Sequence, residues 1–132
     1  VDNEWKVAEV GAGNLGSAIS HSRGFQERGF QISWVFDADA TRVGTHAGDF
    51  NVLPMSVLHE TIVTNKVQIA MIAVPAEHAQ EVADQLVNAG IRAILNYAPI
   101  NINVPDHVMV QYIDPVVHMQ HMTYYLSTNE MR

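Results

Sequence analysis

The glycines near the start of the chain have the spacing of a phosphate-binding turn. The segment Gly11-Ala12-Gly13-Asn14-Leu15-Gly16 directly follows a short run, Trp5 to Val10, that predicts a strand. From about Asn14 to Arg28, apolar residues recur with the period of a helix. A glycine-rich turn between a strand and a helix lets the backbone approach a pyrophosphate, and the free N–H groups of the first helical turn stabilise its charge. We therefore expect this segment to bind the phosphates of a dinucleotide.

An acidic residue follows at the distance expected for a ribose contact. A second apolar run, Gln31 to Phe36, ends in Asp37, roughly 20 residues after Gly16. A carboxylate at this position binds the adenosine ribose hydroxyls and repels a 2′-phosphate, which favours NAD or NADH over NADP. The alternative is that Asp37 is only a turn residue. Arg42, five residues later, could soften the exclusion of a phosphate, although a solvated arginine is the simpler interpretation.

Strands and helices are expected to alternate along the chain, in one α/β domain that comprises residues 1–132. The apolar runs predict strands at 5–10, 31–36, 51–53, 68–74, 91–95 and 108–113, and a loop at 45–50. Helices are predicted at 14–28, 56–63, 76–89 and 115–126, with Ser56 capping the second and Pro75 at the start of the third. This pattern predicts a doubly wound parallel sheet, a Rossmann fold, with strand order 3-2-1-4-5-6.

In such sheets the ligand lies over the carboxyl ends of the strands. Several short segments of this chain follow predicted strands and are expected to meet there. The predicted cofactor-binding residues are Gly11, Ala12, Gly13, Asn14, Leu15, Gly16, Asp37, Ala73, Val74, Pro75, Asn96, Ala98, Pro99 and Asp114.

Composition excludes several classes of function. The chain has 132 residues and is 48% hydrophobic, which is enough for one domain with its own core. Its longest apolar run, Ile69 to Ala76, is too short to cross a bilayer. Seven Lys and Arg are scattered among fourteen acids, so a nucleic-acid-binding face is not expected on this chain alone. The absence of cysteine fits a cytoplasmic location, and the missing initiator methionine suggests a piece of a longer protein.

No catalytic or metal-binding constellation stands out. His118 and His121 are three residues apart on the last predicted helix, but no third ligand is evident, so we expect no metal. No Ser or Cys is placed as a nucleophile, and there is no room for a substrate domain beside the nucleotide fold. We therefore expect no enzyme activity, with a small NAD-dependent oxidoreductase or enzyme subunit as one alternative.

Further motifs resemble a known family. They are Val74-Pro75-Ala76-Glu77, Ile94-Leu95-Asn96-Tyr97-Ala98-Pro99 and Tyr112-Ile113-Asp114, together with G-N-L-G-S-A and F-D-A-D. In order and spacing they resemble the C-terminal Rossmann domain of Rex, a redox-sensing transcriptional repressor, over residues 5 to about 126. The resemblance implies NADH or NAD as the cofactor and a homodimer in which the helix from Pro115 to Leu126 is exchanged. It also implies that DNA is bound only through an N-terminal winged-helix domain, which we expect to be absent from this chain.

One residue of the chain departs from the family pattern. The family's sensing tyrosine on the first helix falls at Ser22, whereas its aspartate partner near the nicotinamide corresponds to Asp114.

The last predicted helix is apolar over much of its surface, which favours a subunit contact independently of the family. A coenzyme A-binding domain is the second alternative, and its discriminating feature is the repulsion expected between Asp37 and the 3′-phosphate of that nucleotide.

Overall fold

The computed structural model describes residues 4–13, 29–47, 49–113 and 115–130, without the side chains of 115–118 and 129–130. The predicted first helix, 14–28, and Ser22 therefore lie outside the described residues. The strands are β1 (Trp5–Val10), β2 (Phe30–Asp37), β3 (His46–Ala47), β4 (Phe50–Pro54), β5 (Ile69–Ile72), β6 (Ala93–Asn96) and β7 (Met109–Tyr112). The helices within the described ranges are α1 (Leu58–Asn65), α2 (Ala76–Ala89) and α3 (Pro115–Glu130), and a 3₁₀ turn (Met55–Val57) precedes α1.

The strands form one sheet in the order β3-β4-β2-β1-β5-β6-β7. Every neighbouring pair is parallel except β3 and β4, which are antiparallel. The predicted Rossmann fold and the predicted order of its six parallel strands are confirmed. The chain moves outward from β1 to β2 and later returns to β5 on the other side of β1, so a topological switch point lies between β1 and β5.

The predicted loop at 45–50 is wrong, because His46–Ala47 forms β3 and Phe50 begins β4. Backbone hydrogen bonds extend this hairpin: the Val52 N–H donates to the Thr45 carbonyl at 2.9 Å, and the Gly44 N–H donates to the Val52 carbonyl at 2.8 Å. A two-residue strand is too short to display the alternation of apolar and polar residues by which strands are recognised.

The predicted start of α1 needs correction. Ser56 does not cap α1; it lies in the 3₁₀ turn, no side-chain cap bond is made, and the Leu58 N–H donates to the Met55 carbonyl instead. The predicted bounds of the helix at 76–89 are confirmed by α2, and Pro75, with an extended ψ of 154°, is the N-cap directly before it. Helix α3 continues to Glu130, beyond the predicted end at Leu126.

The core lies on both faces of the sheet. Strand β5 is buried on both sides, with Ala70, Met71 and Ile72 each no more than 3% exposed, as expected of a central parallel strand. One apolar cluster packs α1 and α2 against the sheet through Leu58 and Leu86, and the other covers the opposite face. This packing fixes the carboxyl ends of β1, β2, β5 and β6 relative to one another. Among the described residues, no helix is both long and apolar enough to span a membrane.

Candidate functional site

A pocket of about 300 Å³ lies at the carboxyl ends of these four strands. It is lined by Gly11, Gly13, Asp37, Arg42, Ala73, Val74, Pro75, Tyr97 and Pro99. Seven of these nine residues are predicted cofactor-binding residues; the sequence-based list omits Arg42 and Tyr97. Ala12, Asn96 and Ala98 are not among the lining residues. Asn14, Leu15, Gly16 and Asp114 fall outside the described residues, so their assignment stays a prediction.

Gly11 brings the backbones after β1 and β5 into close contact. Its φ is +111°, and a Cβ at this position would lie 2.4 Å from the carbonyl oxygen of Ala73. The Gly11 N–H donates to the Phe36 carbonyl, and the Ala73 N–H donates to the Val10 carbonyl, both at 2.8 Å. The floor of the pocket is therefore built from backbone, and only glycine fits there.

Asp37 is held against the glycine turn. Its side chain is about nine-tenths buried; Oδ2 accepts a hydrogen bond from the Ala12 N–H at 2.8 Å, and Oδ1 accepts one from the Asp39 N–H at 2.8 Å. Two backbone donors thus fix the orientation of the carboxylate, which has further lone pairs for a ligand. A turn role and a ribose-binding role are compatible in this geometry.

Arg42 reaches over the same turn. Its Nη1 lies 3.5 Å from Asp37 Oδ2 and 3.8 Å from Asp39 Oδ2. Its guanidinium carbon lies 3.6 Å from the position that a Cβ on Gly13 would take. Arg42 therefore lines the pocket while its side chain remains 47% exposed to solvent. A basic residue five positions after Asp37 is the sequence signal that identifies it.

The pKa of the Asp39 carboxyl depends mainly on hydrogen bonds within its own turn. The Thr41 hydroxyl donates to Asp39 Oδ1 at 2.7 Å and the Thr41 N–H donates to the same atom at 2.9 Å. These hydrogen bonds, with a smaller contribution from the Arg42 charge, hold the pKa of Asp39 below its ordinary value. Asp39 is therefore a second carboxylate near the guanidinium at neutral pH.

Asn96 holds the loop after β6 in place, although it is not one of the residues that line the pocket. Its side chain is fully buried, its Oδ1 accepts from the Ala98 N–H, and its Nδ2 donates to the Ile100 carbonyl, both at 2.9 Å. These bonds fold the loop after β6 so that Tyr97 and Pro99 face the pocket. Asn96 is not among the residues that line the pocket, and its role in cofactor binding stays a prediction.

Tyr97 is the aromatic residue of the pocket wall. Burial, and to a lesser extent the negative charge of Glu9, raises the pKa of its phenol above the ordinary value. Glu9 is fully buried in β1, two residues before Gly11. The phenol of Tyr97 lines the pocket, whereas Glu9 is buried in β1 and is not one of the lining residues.

No metal centre is found in the part of the chain that the structure describes, where no group of three His, Cys, Asp or Glu could hold an ion. The pair His118 and His121 is not tested, because the side chain of His118 lies outside that part.

Comparison with known sequences identifies similar proteins. Residues 2–100 match the model of the CoA binding domain family. The chain is 48% identical to the redox-sensing transcriptional repressor Rex of Carboxydothermus hydrogenoformans, over 94% of this chain and 60% of the relative. It is 46% identical to the Rex of Chloroflexus aurantiacus, over 97% of this chain and 60% of the relative. The chain thus spans 60% of the length of these curated relatives.

Solved structures give the same result. RSP, a Rex-family repressor, superposes with a TM-score of 0.90 at 32% identity, over 98% of this chain and 62% of RSP. RSP has also been solved with beta-NADH, at a TM-score of 0.90, and with beta-NAD+ and operator DNA, at a TM-score of 0.87. A UDP-D-quinovosamine 4-dehydrogenase from Vibrio fischeri, 18% identical with a TM-score of 0.60, shares the fold alone.

The contact at Gly11 predicts an unequal cost for two glycine substitutions. Gly44 also has a positive φ, +85°, but nothing lies within 4 Å of its Cβ position. Gly44→Ala should lower the free energy of unfolding by about 1 kcal/mol through backbone strain alone. Gly11→Ala should cost about 1–3 kcal/mol more, because the new methyl group meets the Ala73 carbonyl. Urea unfolding measures both, and equal losses would contradict the close contact.

The environment of Tyr97 predicts a coupled titration. Glu9→Gln should lower the pKa of Tyr97 but leave it above the ordinary value of about 10, because burial is the larger cause. An NMR titration of ¹³C-labelled tyrosine measures the change, and Tyr97→Phe identifies the resonance. An unchanged pKa of Tyr97 would show that the charge of Glu9 does not act on the phenol.

Proposed function

The chain belongs to the CoA binding domain family, and its predicted resemblance to the Rex repressors is confirmed; from this premise we propose that residues 1–132 form the NAD(H)-binding, redox-sensing domain of a Rex-like transcriptional repressor. The two curated Rex relatives and RSP, which are 32% or more identical to this chain, are repressors and not enzymes, in agreement with the expectation from the sequence. A cytoplasmic location is part of the proposal, because repressors act on DNA in that compartment.

The observation that carries the proposal is the position of Asp37 beside the glycine turn. The carboxylate accepts the Ala12 N–H and lines the same pocket as Gly11 and Gly13. In a dinucleotide fold this arrangement suits a ribose at the carboxylate and a pyrophosphate at the glycines. The ring end of the dinucleotide then extends toward Ala73, Val74, Pro75, Tyr97 and Pro99.

Coenzyme A is the second candidate, because the family model that matches carries its name. Its 3′-phosphate would have to lie near the adenosine ribose, where Asp37 and Asp39 supply two negative charges and Arg42 supplies one positive charge. This excess of negative charge disfavours a ribose phosphate and leaves a ribose with free hydroxyl groups as the better ligand. The RSP complexes with beta-NADH and beta-NAD+ support the same choice.

We further propose a homodimer that exchanges residues 115–126 of α3. Met119, Met122, Tyr124, Tyr125 and Leu126 are between 57% and 75% exposed on this helix. Met119, Met122 and Leu126 share one face, since they are spaced three and four residues apart. An exposed apolar surface of this kind on a globular domain indicates a protein partner, and a second copy of the chain supplies the same surface.

DNA is contacted only indirectly in this proposal. RSP, which is longer than this chain, has been solved with operator DNA. This chain has seven Lys and Arg against fourteen Asp and Glu, which gives it a charge that opposes phosphate binding. Operator recognition is therefore assigned to a winged-helix domain of the full repressor, with the cofactor domain reporting the redox state to it.

Calorimetry tests the cofactor assignment. NADH and NAD should bind, and coenzyme A should not compete with them. Gly13→Val should abolish binding, because its side chain occupies the space of the pyrophosphate, whereas the free energy of unfolding should change little, because the three atoms nearest to the Cβ position belong to the flexible Arg42 side chain. Tight binding of coenzyme A together with no binding of NADH would overturn the proposal in favour of the second candidate.

Sedimentation velocity tests the dimer. The wild-type chain should sediment as a dimer, and Met122→Glu combined with Leu126→Glu should produce a monomer, because charges are then placed in the apolar interface. Val63→Glu is the matched control, since Val63 is 51% exposed on α1, outside the proposed interface. A monomeric wild type, or a double variant that remains dimeric, would contradict the proposed interface.

A further inference from the structure

Arg42 lies where the proposed cofactor would carry its negative charge. The second glycine of a phosphate-binding turn is the place where the backbone approaches the pyrophosphate. Here that residue is Gly13, and the three atoms nearest to its Cβ position are the guanidinium carbon and both terminal nitrogens of Arg42, at 3.6 to 3.7 Å. The guanidinium is therefore in van der Waals range of the space that a bound pyrophosphate takes.

The charges of the lining residues explain why the position of Arg42 matters for phosphate binding. Among the nine lining residues, Asp37 and Arg42 are the ionised ones, and the other seven contribute apolar side chains, glycine backbone and a phenol. A pyrophosphate in this pocket is repelled by Asp37. Arg42 is the lining side chain that can offset this repulsion, and a guanidinium matches the geometry of phosphate oxygens.

The contacts that Arg42 makes in the structure are easily replaced. Its distances to Asp37 and Asp39, 3.5 and 3.8 Å, are longer than the roughly 2.7–2.9 Å of a strong charge-assisted hydrogen bond. The side chain is 47% exposed, and ion pairs at such positions contribute little to stability. Moving the guanidinium by a small distance toward Gly13 therefore costs little free energy.

We propose that Arg42 is a phosphate-recognition residue, which exchanges its contacts with Asp37 and Asp39 for a contact with the pyrophosphate when the dinucleotide binds. The exchange also releases lone pairs on Asp37 Oδ2 for the ribose hydroxyls, so that one side-chain movement prepares both subsites. This inference rests on the proposed NAD(H) function and adds to it a residue that the sequence motif does not contain.

NMR titrations with ADP-ribose, which contains the pyrophosphate, and adenosine, which lacks it, test the proposal. Arg42→Gln should weaken the binding of ADP-ribose about tenfold, roughly the effect of one hydrogen bond to a charged group, and should change adenosine binding by less than about twofold. Arg42→Lys should retain part of the affinity, because the charge remains. The matched control is Arg92→Gln, which removes the same charge from an exposed residue just before β6, at the amino end of the sheet.

Two results would overturn the inference while leaving the proposed function intact. Unchanged ADP-ribose binding in Arg42→Gln would show that Arg42 only neutralises the carboxylates. An equal loss for ADP-ribose and adenosine would place its contact on the nucleoside and not on the pyrophosphate. A wild-type chain that binds neither ADP-ribose nor NADH would overturn the proposed function, and the inference with it. Urea unfolding of each variant confirms that the folded state is retained.

Discussion

The contact between Gly11 and the Ala73 carbonyl controls the geometry of the pocket. Strands β1 and β5 are neighbours, and beyond their ends the chain turns toward α2 after β5 and into the glycine segment after β1. A side chain at Gly11 would separate these two segments, because its Cβ would overlap with backbone atoms that cannot move aside. The pocket thus depends on an absent side chain, and the flanking hydrogen bonds from Gly11 to Phe36 and from Ala73 to Val10 maintain the approach.

Hydrogen bonds from the backbone fix the position of the Asp37 carboxylate in the pocket. A buried carboxylate is costly unless hydrogen bonds replace its hydration. The Ala12 and Asp39 N–H groups supply such bonds, and they also tie the glycine turn to the loop that contains Arg42. The glycine turn, the Asp37 carboxylate and the Arg42 guanidinium are thereby connected within a few ångströms.

The sequence predicted what depends on backbone geometry and periodicity. The glycine spacing, the buried run around β5 and the alternation of elements were sufficient for the fold, the parallel strand order and most of the pocket lining. Side-chain partners were harder to predict, because they depend on distances that a linear pattern does not contain. Asn96 illustrates this, since a position at the carboxyl end of a strand is typical of a ligand-binding residue, whereas its amide contacts with Ala98 and Ile100 are seen only in the structure. Arg42 and Tyr97 illustrate the converse, because both line the pocket although neither belongs to the glycine motif.

The proposed binding of an anionic cofactor to an acidic chain requires favourable electrostatics at the pocket itself. The chain carries a formal net charge of −7, which on its own opposes the approach of a dinucleotide. At physiological ionic strength, however, interactions between exposed charges are screened beyond roughly 8 Å, so that the groups at the pocket dominate. In the proposed complex, backbone N–H groups at the glycine turn and a single guanidinium would offset the charge of the cofactor, because they act at contact distance in a partly buried site where screening is weak. The same reasoning explains why the net charge is a sound argument against a DNA-binding face, which needs many phosphate contacts, and is no argument against a nucleotide pocket, which needs few.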